Sequence, residues 1–380
     1  MKRFIIFFSI VLSVYGLVNY YIFFKGWQAL PATSEIRLYY SAGFFLAASS
    51  FIAGRVLERK ALSWFSETLT WIGSFWLAWM LYAFLFLVLI DAVRFANSFF
   101  YFVPGQFMTS LWIPGAAALS AFLIVIAGHI NARTPRLKKL ELNIDKKSSV
   151  SDKLTIVVAS DIHLGTIIGR SRIDKIVDVI NALDPDLVLL PGDVVDEDLA
   201  PVIKENLGES LRNIKSRLGV FSITGNHEFI GGAEAATQYL TEHGITVLRD
   251  ECVRIKESFY LVGREDRSVI SFSRRQRKTL GELTQNLDRN LPIIMMDHQP
   301  FHLDEAEANG IDLQLSGHTH HGQLWPFNFI TKRIFEVSWG YKKKGATHIY
   351  VSSGVGTWGP PVRTGNRPEI VQIEVNFTQI

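Results

Sequence analysis

The 380-residue sequence holds one cysteine, Cys252, which rules out a disulfide within the chain and suits a reducing compartment. It has no internal repeat and no low-complexity tract. Charge is scarce at the start: of 75 Lys, Arg, Asp and Glu residues, 12 lie before His129 and 63 after it. The net charge of +3 therefore describes neither part, and it gives no reason to expect nucleic acid as a partner. A charge-poor segment joined to a charge-rich one reads as two domains, residues 1–130 and 131–380.

What fills the first part is apolar. About 20 apolar residues in a helix cross a hydrocarbon core. Four runs qualify, Phe4–Phe24, Leu38–Gly54, Thr68–Ile90 and Leu111–Gly128, none with a formal charge. The first follows Lys2 and Arg3, as a signal peptide would. Its 21 residues and the lack of a small-x-small cleavage pattern predict a retained anchor instead. The expectation is a four-helix transmembrane anchor over residues 1–130. Ionisable residues are missing inside the runs, which offer only Asn19 and scattered Ser and Thr, so a transporter or proton relay is not indicated. The bundle is read as an anchor, or as a holder for a lipid substrate. Tyr20, Tyr21, Trp27, Tyr39 and Tyr40 suit headgroup depth under either reading. Nine Lys/Arg flank one side of these runs and three the other. That bias predicts an integral, multi-pass protein of a bacterial-type inner or plasma membrane with its C-terminal domain in the cytoplasm.

From Asn131 the pattern changes. A basic, proline-containing linker (Asn131–Lys139) precedes Leu140, Leu142 and Ile144, which alternate like a half-buried strand. Short apolar runs follow: Thr155–Ala159, Leu187–Leu190, Val220–Thr224, Tyr260–Val262, Ile293–Met296, Leu313–Leu315, Ile349–Val351 and Ile370–Val375. Amphipathic helical patterns such as Ile173–Leu183 and Ala233–Leu240 sit between several of them, which predicts an α/β class with buried sheets covered by helices. The Lys342–Lys344 run reads as a solvated face that, close to a bilayer, would attract anionic lipid.

Five of these runs end in metal-binding residue types. They lead into Asp161-Ile-His163, Gly192-Asp193-Val-Val-Asp196, Gly225-Asn226-His227-Glu228, Asp297-His298 and Gly317-His318-Thr-His320. Five of the ten histidines lie in these turns. Sheet proteins gather their sites at the carboxyl ends of strands. One such turn is an ordinary structural feature; five in this order point to a metal centre. The set is nitrogen and oxygen without thiolate, which suits Mn²⁺, Fe or Zn²⁺ and argues against a closed structural zinc site.

The same series of blocks resembles the calcineurin-like metallophosphoesterase superfamily, over about residues 138–380. His298-Gln-Pro, the run Asp312 to His320 and Gly354-Val-Gly-Thr resemble its YkuE/YaeI-like branch, which includes membrane-attached members and lies near pyrophosphatases of lipid A synthesis. The resemblance implies an αββα sandwich of two mixed sheets and two divalent metal ions. It implies that Asp161, His163 and His320 hold the first ion, that Asp193 bridges, and that Asn226, His298 and His318 hold the second. It makes His227 the proton donor or transition-state contact, oriented by Asp196. One departure is His321, where the branch has glycine: it faces the substrate or is an exposed turn residue. Arg363, in Trp358-Gly-Pro-Pro-Val-Arg, is placed to clamp a phosphate or to make surface contacts.

The expected activity is cleavage of a phosphoester or pyrophosphate by metal-activated hydroxide, on a lipid-linked or membrane-proximal substrate. Two alternatives stand beside it: a hydrolase of soluble phosphodiesters or nucleotides for which the membrane is only an address, and a metal-binding sensor without catalysis.

Overall fold

The structure, a computed structural model, describes residues 2–32, 35–105, 112–149, 152–273 and 275–378. It divides into two compact units, which part between His129 and Ile130.

The first unit is helical: α1 (Lys2–Ala29), α2 (Ile36–Lys60), α3 (Trp64–Phe100) and most of α4 (Trp112–Ala132). Among the described residues, α2, α3 and α4 are long and apolar enough to cross a membrane. The count is therefore three, one fewer than the four expected: the first expected run, Phe4–Phe24, forms part of α1, which is not among the three. The fourth expected run began at Leu111, which lies outside the described residues. At 37 residues α3 is about 55 Å long, well beyond a hydrocarbon core of about 30 Å. Small residues let α2 and α3 approach: a Cβ on Gly54 would lie 2.6 Å from the Thr70 amide nitrogen, and one on Gly73 would overlap the backbone of Phe51. Asn19 ties α1 to α3, its side-chain carbonyl accepting from Trp76 Nε1 at 3.0 Å.

The second unit is built on two six-stranded mixed sheets. One has the order β1 (Arg136–Ile144), β12 (Glu369–Phe377), β2 (Lys153–Val158), β3 (Leu187–Pro191), β4 (Val220–Ile223), β5 (Thr246–Val247). The other runs β10 (Gly340–Lys344), β11 (Thr347–Val351), β9 (Leu313–Ser316), β8 (Ile293–Met296), β7 (Phe259–Gly263), β6 (Glu251–Ile255). Ile156, Leu189, Ile223 and Ile373 of the first sheet share one buried core with Leu261, Ile294, Met296 and Leu315 of the second, so the sheets face each other. Because side chains alternate along a strand, Ile293 and Met295 point the other way. They pack with Leu280 and Leu283 of a helix spanning Leu280–Thr284 and with Ala306 of one spanning Leu303–Ala308. Both faces of these strands are covered, which is why they are apolar without interruption. The layers are helix, sheet, sheet, helix.

Two expectations change. The stretch read as a linker, Asn131–Lys139, is part helix and part strand: α4 runs to Ala132, and β1 begins at Arg136 and pairs in parallel with β12 from Arg136↔Glu369 onward, leaving residues 133–135 between α4 and the first sheet. Lys342–Lys344 is not only a solvated face. It is most of β10, an edge strand, where lysines discourage pairing with another chain.

Candidate metal centre

Strands β2, β3 and β4 lie side by side and parallel, and so do β7, β8, β9 and β11, so their carboxyl ends deliver neighbouring turns. The turns after β2, β3, β4, β8 and β9 carry the expected donors. Backbone geometry there is costly. Asp161, His163, Asp193, His318, His320 and His321 all have φ between +43° and +70°. Left-handed backbone costs a non-glycine residue on the order of 1–3 kcal/mol, and such strain persists where the surroundings over-determine it.

The chain brings seven expected ligands together. Asp161, His163 and His320 converge, as do Asp193, His298 and His318, while a third grouping of His163, Asp193 and His227 joins the two. Asp193 stands between the sets, with Oδ2 3.1 Å from His298 Nε2 and 3.8 Å from His163 Nε2. His163 and His320 face each other at 3.0 Å between Nε2 atoms, and His320 Nε2 is 3.6 Å from Asp161 Oδ1. The Asn226 carbonyl oxygen lies 2.8 Å from His318 Nδ1 and 3.2 Å from His298 Nε2.

A cation fits this donor set. Among the described residues, two buried atoms of the first group, Asp161 Oδ2 and His163 Nδ1, have no hydrogen-bond partner, and a buried polar atom left unmatched is destabilising. His298 Nδ1 is 2.8 Å from the Pro191 carbonyl, a pure acceptor, so that nitrogen carries a proton and Nε2 is the ring atom aimed at Asp193 and at any cation. Five carboxyls, Asp161, Asp193, Asp196, Glu228 and Asp297, are buried within these turns. Burial raises the pKa of Asp161. On Asp193 the desolvation is outweighed by His298 and His227, which hold it well below the usual carboxylate range. Burial works against a charge on His227 too, yet Asp193 and Asp196 push its pKa up to about 9. The site thus attracts positive charge, as protons or as metal.

His227 Nδ1 lies 2.9 Å from Asp196 Oδ1, and its amide donates to Asp193 Oδ1 at 2.9 Å. Its ring stands edge-on to Trp358, a half-exposed side chain, with centroids 6.0 Å apart.

Neither candidate substrate contact lies at the surface. Arg363 is fully buried. Its guanidinium donates to the carbonyls of Ser353 (2.8 Å) and Gly356 (2.7 Å), to Asn366 Oδ1 (2.9 Å) and to His320 Nδ1 (3.0 Å). It makes neither surface contacts nor a phosphate clamp; it braces His320 from behind. With Arg363 against Nδ1, Nε2 is the His320 ring atom that faces Asp161 and His163. His321 is not exposed: Nδ1 is 3.0 Å from Ser338 Oγ and the ring packs against Trp339.

Sequence reasoning gave no role to Glu228. Its carboxyl accepts from the amides of Gly225 (2.7 Å), Val195 (2.9 Å) and Asp193 (3.1 Å), which locks the turns after β3 and β4 to each other. Burial and the nearby Asp193 push its pKa up to about 7. The Gly-x-x-Glu spacing of a helix N-terminus was the available signal. Asp297, the other acid at these strand ends, turns away to pair with Arg264 and Arg277.

Residues 154–322 match the family model described as calcineurin-like phosphoesterase. The chain is similar to an uncharacterized metallophosphoesterase of Helicobacter pylori, 36% identical over 234 residues. That match covers 60% of each chain, so it leaves a substantial part of that relative unmatched. An uncharacterized metallophosphoesterase of Aquifex aeolicus is 31% identical over 259 residues, which are 67% of this chain and 98% of the relative. A "transmembrane protein with metallophosphoesterase domain" of Danio rerio is 30% identical over 275 residues, covering 68% of this chain and 61% of that one. With its motif blocks on adjoining strand ends and a relative covered almost end to end, the chain belongs to the calcineurin-like metallophosphoesterases.

Proposed function

We propose that the chain is a membrane-anchored, dinuclear-metal phosphohydrolase acting on a lipid-linked or membrane-proximal phosphoester or pyrophosphate. The observation that carries the dinuclear reading is the position of Asp193 between two donor groups. Asp161, His163 and His320 would hold one ion, Asn226, His298 and His318 the other, with Asp193 shared. Bound there, such ions supply a hydroxide at neutral pH and neutralise charge on the phosphoryl oxygens. The chain's own residues do the rest. Asp196 holds the proton of His227 on Nδ1 when the ring is neutral, and adds a second proton's worth of affinity when it is not, so His227 can donate to a leaving oxygen. Glu228 keeps the Asp193 turn in place, and Arg363 keeps the His320 ring in place.

The lipid part of the reading is supported by three helices fit to cross a membrane and by the residues between α4 and β1, three in number, which span at most about 11 Å. The charge bias of the flanks supports a cytoplasmic catalytic unit, which a reporter fused after the last residue would check.

The test incubates the full chain in detergent with Mn²⁺, once with membrane lipid extract and once with bis(p-nitrophenyl) phosphate, beside Asp193→Asn. Loss of a phosphorus-containing lipid species that requires Asp193 supports the reading. Turnover of the soluble ester alone would leave the membrane as an address. Two equivalents of bound metal with no turnover of either would return the sensor reading.

A further inference from the structure

Beyond the metal centre, an apolar surface stands uncovered. The helix Phe327–Ile334 begins seven residues after His320, and none of its eight residues is buried. Phe327, Ile330 and Ile334 fall on one face at helical spacing, and they are 42%, 54% and 56% exposed. A soluble surface rarely carries such a stripe beside further exposed aromatics without something to cover it. Here Trp325 and Trp358 extend it, both about half exposed. Gln323 joins them into one surface: its amide group donates to the carbonyl of Trp358 (2.9 Å) and its carbonyl accepts from the Trp358 amide (3.0 Å). Since the Trp358 ring also meets His227, the stripe is continuous with the rim of the metal centre.

We infer that this face docks on the bilayer surface, laying Phe327, Ile330 and Ile334 among the lipid headgroups so that His227 and the metal ligands open toward anionic lipid. Two observations choose lipid over a protein partner. The first is charge. Lys332 and Arg333 sit on the same helix, which has no acidic residue, and β10 adds Lys342, Lys343 and Lys344 nearby in sequence, against Glu336 alone. A short apolar stripe flanked by cations is the pattern of an interfacial helix, and it complements anionic headgroups. A second copy of the same basic face would be repelled. The second is continuity: α4, fit to cross a membrane, ends at Ala132, and the catalytic unit's first strand starts at Arg136, so a bilayer is the surface this unit always has at hand.

The inference rests on the membrane-proximal part of the proposed function and not on turnover, so the experiment measures depth. Full-length protein with Cys252→Ser receives one nitroxide label, at Ile330→Cys or, as a solvent control, at Lys175→Cys, and is reconstituted in nanodiscs. The lipid is phosphatidylglycerol with phosphatidylethanolamine in one series and phosphatidylcholine alone in another. At 330 the label is expected to favour oxygen over a nickel chelate by severalfold in the anionic discs and less so in the neutral ones; at 175 the chelate wins in both. Equal accessibility at 330 and 175 in anionic discs would overturn the inference, and so would dipolar coupling between labels at 330, which reports a second copy. Ile330→Asp should lower turnover of a lipid-embedded ester about tenfold and leave bis(p-nitrophenyl) phosphate unchanged. If no lipid is hydrolysed while the 330 label stays shielded, the substrate reading fails and the docking face stands.

Discussion

Gly225→Ala adds one methyl group and tests whether the turn after β4 exists to let Asp193 through. The backbone at 225 has φ −110° and ψ −173°, which alanine adopts without strain, so any effect is steric. A Cβ built there overlaps Asp193 Oδ1 and lies 2.6 Å from the Asp193 amide nitrogen and 2.8 Å from its carboxyl carbon. Ordinary contact begins near 3.4 Å, so the Asp193 carboxylate must move by more than about 1 Å, or its turn by roughly 0.8 Å. Glu228 holds both turns through three amides, which leaves little room to yield. A misplacement of about 1 Å at a reacting centre costs on the order of 100-fold in rate, while the overpacking costs about 1–3 kcal/mol of stability. The assay is turnover of bis(p-nitrophenyl) phosphate at saturating Mn²⁺ by the full chain in detergent, with bound metal per chain measured by mass spectrometry. Gly281→Ala, whose methyl would meet only Asn309 Oδ1 at 3.6 Å, is the control and should change nothing. Gly225→Ala with activity within threefold of the parent and full metal content would refute the argument that Asp193 is held in place by close packing.

Three further outcomes follow from the same geometry. A ligand at 1,000 times its Kd stabilises by about 4 kcal/mol, so Mn²⁺ added to chelator-treated protein should raise the melting temperature of the catalytic unit by about 8–16 °C, and Asp193→Asn should remove most of that rise. Arg363→Met would strand at least four buried acceptors, and should lower the melting temperature, metal content and kcat while KM for the soluble ester stays put; a rise in KM with kcat unchanged would restore the phosphate-clamp reading. In metal-free protein His227 has a pKa raised from 6.5 to about 9, so its contribution to stability is complete below pH 6.5 and fades as pH rises through about 9; thermal melts in chelator from pH 6 to 10 should show that loss, and Asp196→Asn should reduce it.

The sequence by itself determined the class and the donors. Uninterrupted apolar strands such as Ile293–Met296 require cover on both faces, and the sandwich supplies it because alternate residues point to opposite layers. The metal-ligand residue types at five strand ends were legible because parallel neighbours bring such ends together whatever the connecting segments do. Tertiary structure alone decided the rest. Nothing local separates Arg363, buried behind His320, from an arginine at the surface, since burial depends on Ser353, Gly356 and Asn366 arriving from elsewhere in the loop. Lys342–Lys344 reads as a polar run until β11 supplies the pairing partner that makes it an edge strand. The Phe327–Ile334 stripe would pass for core, because amphipathic spacing says which face is apolar and only the packed neighbours say whether that face is covered.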